Sequence, residues 1–487
     1  MLTRDAVSDS GTAGAPVFGH EERKVKRAQG LSYSVFWVAL MPGNGVCQIG
    51  FFDTRKELKM EKFDAVIVGA GLAGLGCAWT LAGQGMEVLV LERGDYPGAK
   101  NLSGGRLYVN PVRDLFSGLW ERAPLERFIT HEGVTVMAKE RSLTFDYSGD
   151  ELRAKPYQSH SVLRARFDRW MAERLEEKGV MLLPKTRVDD VITENGKIAG
   201  VVAGGDELRA DVVVACDGAL SLLAEKAGLH PPGKSEDYAV GIKEIIALDA
   251  NVINDRFNLD ENEGTARLYI GEVTKGLFGG GFLYTNRESV SLGLVIGIHD
   301  FIEKGGAGEV PALLDSFKSR SEIAPLIKGG STLEYGAHMI PEGGYRGLSP
   351  LFGDGILVAG DAAGFALNMG FTVRGMEYAM ASGHFAAKAV LKAKAAGDFS
   401  AKSLSIYRNL LEESFVLQDF MNFRETPSVL SNPRFFNHYP EFIGNIMKDL
   451  YEIPAGPKKR IYPTLRKHLT LGELWAMFKD MRGIIRI

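Results

Sequence analysis

The chain has 487 residues, a formal net charge of −4, 45% apolar and 24% charged residues, and three cysteines. The composition is globular, the length predicts about three domain-sized units, and the near-neutral balance excludes bulk nucleic-acid binding. Cys47, Cys77 and Cys216 are too scattered for a disulfide framework or a four-cysteine iron–sulfur site, so a reduced, intracellular enzyme is the first reading.

Residues 1–59 do not read as the start of a domain. Their apolar run at 31–41, LSYSVFWVALM, is too short to span a bilayer. Lys24, Lys26 and Arg27 precede it, as in a signal peptide, but Met60 stands directly before a cofactor motif. The segment is read as a disordered extension, or Met60 as the true start. No run of 18 or more apolar residues occurs anywhere, so no transmembrane helix is expected.

From Phe63 the chain reads FDAVIVGAGLAGLGCAWTLAGQGMEVLVLERG. Ala65–Val68 is continuously apolar, as in a parallel strand buried on both faces. Gly69, Gly71 and Gly74 form GxGxxG, residues 73–83 have helical composition, and a second strand, Val88–Leu91, ends in Glu92. Gly69 suits the tight turn, Gly71 lets backbone reach a pyrophosphate, and Gly74 lets the helix lie on the sheet. The helix N-terminus offers free N–H groups to phosphates, and Glu92, with Arg93 beside it, stands where the ribose hydroxyls would lie. Strand, glycines, helix, strand and acid in that order predict a dinucleotide site but leave NAD and FAD both open.

Two later segments separate them. VVVACDG (212–218) is a strand running into Asp217 and Gly218, and GILVAGDAAG (355–364) is another running into Gly360 and Asp361, with a helix expected from Ala362. With these three motifs in order the chain resembles FAD enzymes related to aromatic hydroxylases. The resemblance implies an α/β fold: a Rossmann-like FAD-binding domain, an inserted mostly β substrate domain and a C-terminal helical cap. It also implies that Asp361 bonds the flavin ribityl chain and that the helix near Ala362 points at the pyrophosphate. Asp217 and Gly218 would sit close to the FAD.

Further segments narrow the branch. GAKNLSGGRLY (98–108) follows the second strand, and SVLRARFDRWMAERLEEKGV (161–180) reads as strand then helix. In it Leu163, Phe167, Trp170, Met171 and Leu175 form an apolar stripe, and Arg166, ahead of the predicted helix, is a candidate flavin or phosphate contact. In GFALNMGFTVRGMEYAMASG (364–383) small residues around Gly370 would let backbone approach an isoalloxazine ring. Together these segments resemble FixC-type electron transfer flavoprotein:quinone oxidoreductases, related to geranylgeranyl reductases.

That resemblance, from about Met60 to the C-terminus, implies an FAD that carries electrons from an electron transfer flavoprotein to a membrane quinone. It implies a FixABCX-type bifurcating complex, with electron transfer flavoprotein alpha and beta subunits as partners. Single-chain members carry a four-cysteine cluster near the C-terminus, whereas no cysteine follows Cys216 here. The resemblance therefore implies a separate small ferredoxin-like iron–sulfur subunit. The chain would be cytoplasmic, peripheral on the inner face of the cytoplasmic membrane. A prenyl reductase, an FAD monooxygenase and a non-catalytic flavin-bound assembly subunit remain alternatives. No acid–base or metal constellation stands out, as suits a protein whose cofactor carries the chemistry.

The expected organisation is an FAD-binding domain over 60–235 and 335–395, a substrate or quinone domain over 236–334, and a helical region over 396–487. SVSLGLVIGI (289–298) reads as sheet in the middle part. Near the C-terminus, Phe420, Phe423, Phe435, Phe436, Tyr439 and Phe442 are candidates for a quinone tunnel, a bilayer contact or ordinary packing. Residues 455–487 carry eight Lys/Arg and two Asp/Glu, 8 − 2 = +6, with Leu469, Leu471, Leu474, Trp475, Phe478 and Met481 compatible with one helical stripe. An interfacial helix and a solvated helix face are both open readings.

Overall fold

The strand Lys62–Val68 pairs in parallel with Val88–Leu91 on one side and Asp206–Ala215 on the other, which explains why its second half is fully apolar and buried. The sheet continues through Met181–Leu183 beyond one edge and Ile356–Val358 and Phe352–Gly353 beyond the other. A hairpin of Val188–Glu194 and Lys197–Ala203 joins the Asp206–Ala215 strand. This computed structural model describes residues 62–101, 104–230, 233–303 and 310–486. The expectations for residues 1–59, the 31–41 run and Cys47 included, lie outside the described residues.

One helix packs on this sheet and a second packs across the first. The helix Leu72–Leu81 follows the glycine turn, and Met376–Ala396 crosses that helix so closely that a Cβ on Gly383 would stand 2.0 Å from the Ala73 carbonyl oxygen. Cys77 and Cys216 are buried, and burial pushes both thiols upward.

The second sheet has nine strands and is mostly antiparallel, running from Ser331–Pro341 through Tyr238–Ala247, Ser289–Gly297, Gly279–Thr285 and Glu263–Gly271. It then takes in Phe128–Met137, Ser159–Val162 and Gly105–Tyr108, with Ser142–Ser148 paired to Phe128–Met137. The helices Ala250–Phe257 and Val310–Lys318 contribute Ile253, Phe257, Leu313, Leu314 and Phe317 to a core shared with Ile242, Leu292 and Leu294 of this sheet. The expected boundaries at 235 and 334 therefore do not coincide with the sheets. Four strands before residue 163 belong to the second sheet, and Ser331–Pro341 crosses the later boundary. Strand patterning shows that a segment is extended, not which sheet recruits it.

The C-terminal part is helical from Ala401, ending in His438–Tyr451, Ile461–Arg466 and Leu471–Ile484. Among the described residues no helix is long and apolar enough to cross a membrane.

Candidate functional site

A cavity of about 830 Å³ runs between the two sheets, toward the upper end of the size expected of a ligand site. One end is the glycine turn. Gly69 adopts φ +101°, and a Cβ there would lie 2.2 Å from the Cys216 carbonyl oxygen; only glycine fits. A Cβ on Gly74 would stand 1.9 Å from the Gly69 oxygen, so this residue lets the helix pack and does not itself line the cavity. Gly71 is different: its nearest neighbours, Arg164 and Asn101, are 4.0 Å from the Cβ position, and a side chain would project into the cavity. The helix Leu72–Leu81 has no side-chain cap and no acid in its first turn, leaving N–H groups and a partial positive charge at the wall.

Glu92 lines the same end. Its Oε2 accepts from the Ala70 N–H at 3.0 Å and its Oε1 from the Gly94 N–H at 2.5 Å. These bonds fix the carboxylate at the strand end, with lone pairs left for hydroxyl donors. Arg93, Asp217 and Gly218 also line the cavity. Asp217 Oδ2 accepts from the Leu223 N–H at 2.9 Å, while its buried Oδ1 has no partner in the protein. Burial raises this carboxyl, with backbone N–H groups and Arg93 opposing. The uncapped N–H groups, the space at Gly71 and the unpartnered acceptor fit a dinucleotide with its phosphates at the helix.

Arg164 lies opposite. It opens the helix Arg164–Glu177, and its Nε and terminal nitrogen hold Asp168 at 2.8 and 2.7 Å, while Asn101 donates to the same carboxylate at 2.7 Å. Arg166, the arginine singled out above, does not reach the cavity: its side chain is 66% exposed and pairs with Glu126. Two residues turn the helix by about 200°, so only one of the two arginines can face inward. The signal was Asp168, four residues after Arg164, on the same helix face.

Asp361 lines the cavity between Arg164 and His338; burial raises its carboxyl, and both neighbours oppose the rise. Burial lowers His338, against the pull of Asp361. Gly360 and Ala362 support Asp361 from behind, the Gly360 N–H donating to Ser382 Oγ at 3.0 Å. No helix starts at Ala362. Gly360–Ala363 is one 3-10 turn, and Gly364, at φ +86°, ends it. The long helix begins instead at Met376, and its N-terminal residues Gly375 and Met376 line the cavity. Between them lies the small hairpin Leu367–Arg374, with Gly370 at φ +87° on the cavity wall.

Sequence reasoning missed the second sheet's contribution. Lys243 donates to the Gly104 carbonyl, and burial draws its ammonium down to about 7. Arg106 is clamped by Glu132, one nitrogen to Oε2 at 2.7 Å, and lies over the Tyr108 ring at 4.3 Å. Arg374, on the small hairpin rather than the second sheet, donates to Glu377 at 2.5 Å and to Asp419 at 2.7 Å. Beyond these charges the cavity becomes apolar, walled by Phe371, Phe423, Val429, Leu430, Phe436 and Ile484. Phe435 joins them, whereas Phe420 is fully buried and packs edge-on against Phe365 and Tyr378.

The family described as FAD binding domain matches residues 62–258. With the geometry above, the chain is an FAD-dependent oxidoreductase of the aromatic-hydroxylase fold type. The family described as ETF-QO/FixC family C-terminal domain matches residues 426–487. Protein FixC of Escherichia coli K12 is 45% identical over 423 residues, covering 87% of this chain and 98% of that one. The probable electron transfer flavoprotein-quinone oxidoreductase YdiS of the same strain is 43% identical over 86% of this chain and 97% of its own. The chain belongs to the ETF-QO/FixC family. Among solved structures, a geranylgeranyl bacteriochlorophyll reductase-like protein of Thermoplasma acidophilum superposes with a TM-score of 0.63 at 20% identity, over 86% of this chain and 99% of that one. The brominase Bmp2 gives 0.55 at 19% identity, over 84% and 98%. Both express the same fold.

Proposed function

We propose that the chain passes electrons from a reduced electron transfer flavoprotein, through FAD, to a membrane quinone. The observation that carries this reading is the continuity of the cavity. It runs from the dinucleotide end at Gly71 and Glu92 to an apolar end at Phe436 and Ile484. Ile484 closes the helix Leu471–Ile484, whose apolar residues face outward: Trp475 is 60% and Phe478 53% exposed, with Leu471, Leu474 and Met481 beside them. A lipid-soluble acceptor entering beside such a helix would meet apolar walls as far as the charged groups of the cavity. Bound FAD supplies the redox chemistry, accepting electrons singly or in pairs. The Leu72 helix end would hold its phosphates, Glu92 its ribose and Asp361 its ribityl chain.

The polar face of the same helix is bound to the protein. Arg434 donates to Glu473 at 2.6 Å, and Tyr439 donates to Asp480. The helix is thus amphipathic in the inverted sense, apolar side out, as suits a peripheral site on the inner face of the membrane. Lys458, Lys459, Arg460, Arg466 and Lys467 precede it and would favour anionic lipid. In this reading the partners are electron transfer flavoprotein alpha and beta subunits. A small ferredoxin-like subunit would carry the cluster, since this chain has no cysteine after Cys216. Photoreduced protein mixed with quinone-loaded vesicles should form one quinol per FAD reoxidised. A flavin that stays reduced beside quinone, but saturates a polyprenyl double bond, would contradict it.

A further inference from the structure

One strand sends a row of side chains to the cavity wall. Alternate residues of a strand share a face, and His338, Ile340 and Glu342, at and just beyond the end of Ser331–Pro341, all line the cavity. The Glu342 N–H donates to the Asp237 carbonyl at 2.7 Å, anchoring it. Asn368 lines the same cavity and draws the Glu342 carboxyl downward, and Asn368 Oδ1 accepts the Gly370 N–H at 3.0 Å. Glu342, Asn368 and Gly370 therefore share one cavity wall, with Asn368 bonded to the Gly370 turn.

We propose that Glu342 is a redox-linked proton site, binding one proton from solvent when the FAD of this cavity is reduced and releasing it on reoxidation. The electrons come from the reductant and go to the cofactor. The proton goes from solvent to a Glu342 oxygen, forming one O–H bond there and none to the cofactor. Negative charge arriving in a poorly solvated cavity raises the proton affinity of a nearby carboxylate. Burial already lifts this carboxyl to about 7, with Asn368 opposing, so a modest further rise brings uptake into the neutral range.

The surrounding groups leave Glu342 this role. Asp237 and Tyr238 lie on the segment beside it, and His338 on its own strand is drawn by Asp361 and opposed by Arg164, Arg93 and Lys243. Arg374, at the far end of the hairpin, is held by Glu377 and Asp419, and Arg346, just downstream, pairs with Glu425. The inference requires FAD and not the quinone assignment.

The test uses the FAD-loaded full chain, photoreduced with a deazaflavin and EDTA, without quinone or partner protein. At pH 8, reduced-minus-oxidised infrared spectra should gain a carboxylic-acid C=O band that shifts in D2O and is missing in Glu342→Gln. The FAD midpoint potential should fall more steeply with pH above about 7 in the wild type than in Glu342→Gln. Asn368→Ala should keep the band and move its onset to higher pH. Identical spectra and slopes in wild type and Glu342→Gln would overturn the proposal. If Glu342→Gln does not retain FAD, the other two proteins decide: a wild type without the D2O-sensitive band, or an onset unmoved by Asn368→Ala, overturns it equally.

Discussion

Arg434 Nε donates to Asp480 Oδ2 at 3.0 Å, joining the turn before His438–Tyr451 to the middle of the C-terminal helix. Asp480 also accepts from Asn432 at 2.7 Å, and Glu473, two turns earlier, receives both Arg434 and His438 Nε2. These contacts hold the polar face inward. Each is partly solvated and worth about 1 kcal/mol or less, so Arg434→Ala should loosen the helix without unfolding the protein. Limited proteolysis should then cut within residues 469–484 several-fold faster, at unchanged FAD content.

The outward face makes a separate prediction. Trp475→Ser with Phe478→Ser removes two large apolar groups, each worth about 1.5–3 kcal/mol on leaving water. The polar contacts of the helix remain. Partition onto anionic phospholipid vesicles should fall by about a hundredfold or more, and FAD absorbance should not change. Undiminished sedimentation with vesicles would exclude this face as the membrane contact.

The two arginines of the helix Arg164–Glu177 can be told apart directly. Arg164→Lys keeps the charge but loses the two-point grip on the fully buried Asp168. FAD affinity, read by fluorescence quenching on titrating apoprotein, should drop by about tenfold or more. Arg166→Ala, altering an exposed pair with Glu126, should stay within about twofold.

Glu342 also predicts how the apoprotein responds to pH. Its folded-state carboxyl is raised from 4.5 to about 7 by burial. Below 4.5 both states hold the proton. Between 4.5 and 7 the folded state keeps a proton that the unfolded chain has released, so this residue's contribution to stability declines as pH rises and is lowest above 7. Glu342→Gln should therefore unfold at higher urea than wild type at pH 8, by up to about 3 kcal/mol, with the difference shrinking toward pH 4.5. A constant difference across that range would show that Glu342 does not titrate there.

The nucleotide end was legible because it is local. Gly69, Gly71, Gly74 and Glu92 lie within one strand–helix–strand unit, so their spacing carries the geometry. Lys243, His338 and Glu342 reach the cavity only through sheet register, with His338 opposite Gly241 and Gly336 opposite Lys243. Nothing in their immediate sequence announces that. Ala362 misled because a small, apolar run suits a helix, whereas the left-handed Gly364 turns the chain after four residues. The stripe from Leu471 to Met481 was visible, but the direction it faces is set by Arg434, far back in the chain.

Rapid mixing follows the electrons from donor to acceptor. Reduced electron transfer flavoprotein is mixed anaerobically with the oxidised, FAD-loaded chain on quinone-containing vesicles, and flavin absorbance and quinol are followed together. This protein's FAD should bleach promptly, then recover, with one quinol formed for every two electrons delivered. An FAD indifferent to the reduced flavoprotein, but bleached rapidly by NAD(P)H alone, would contradict it.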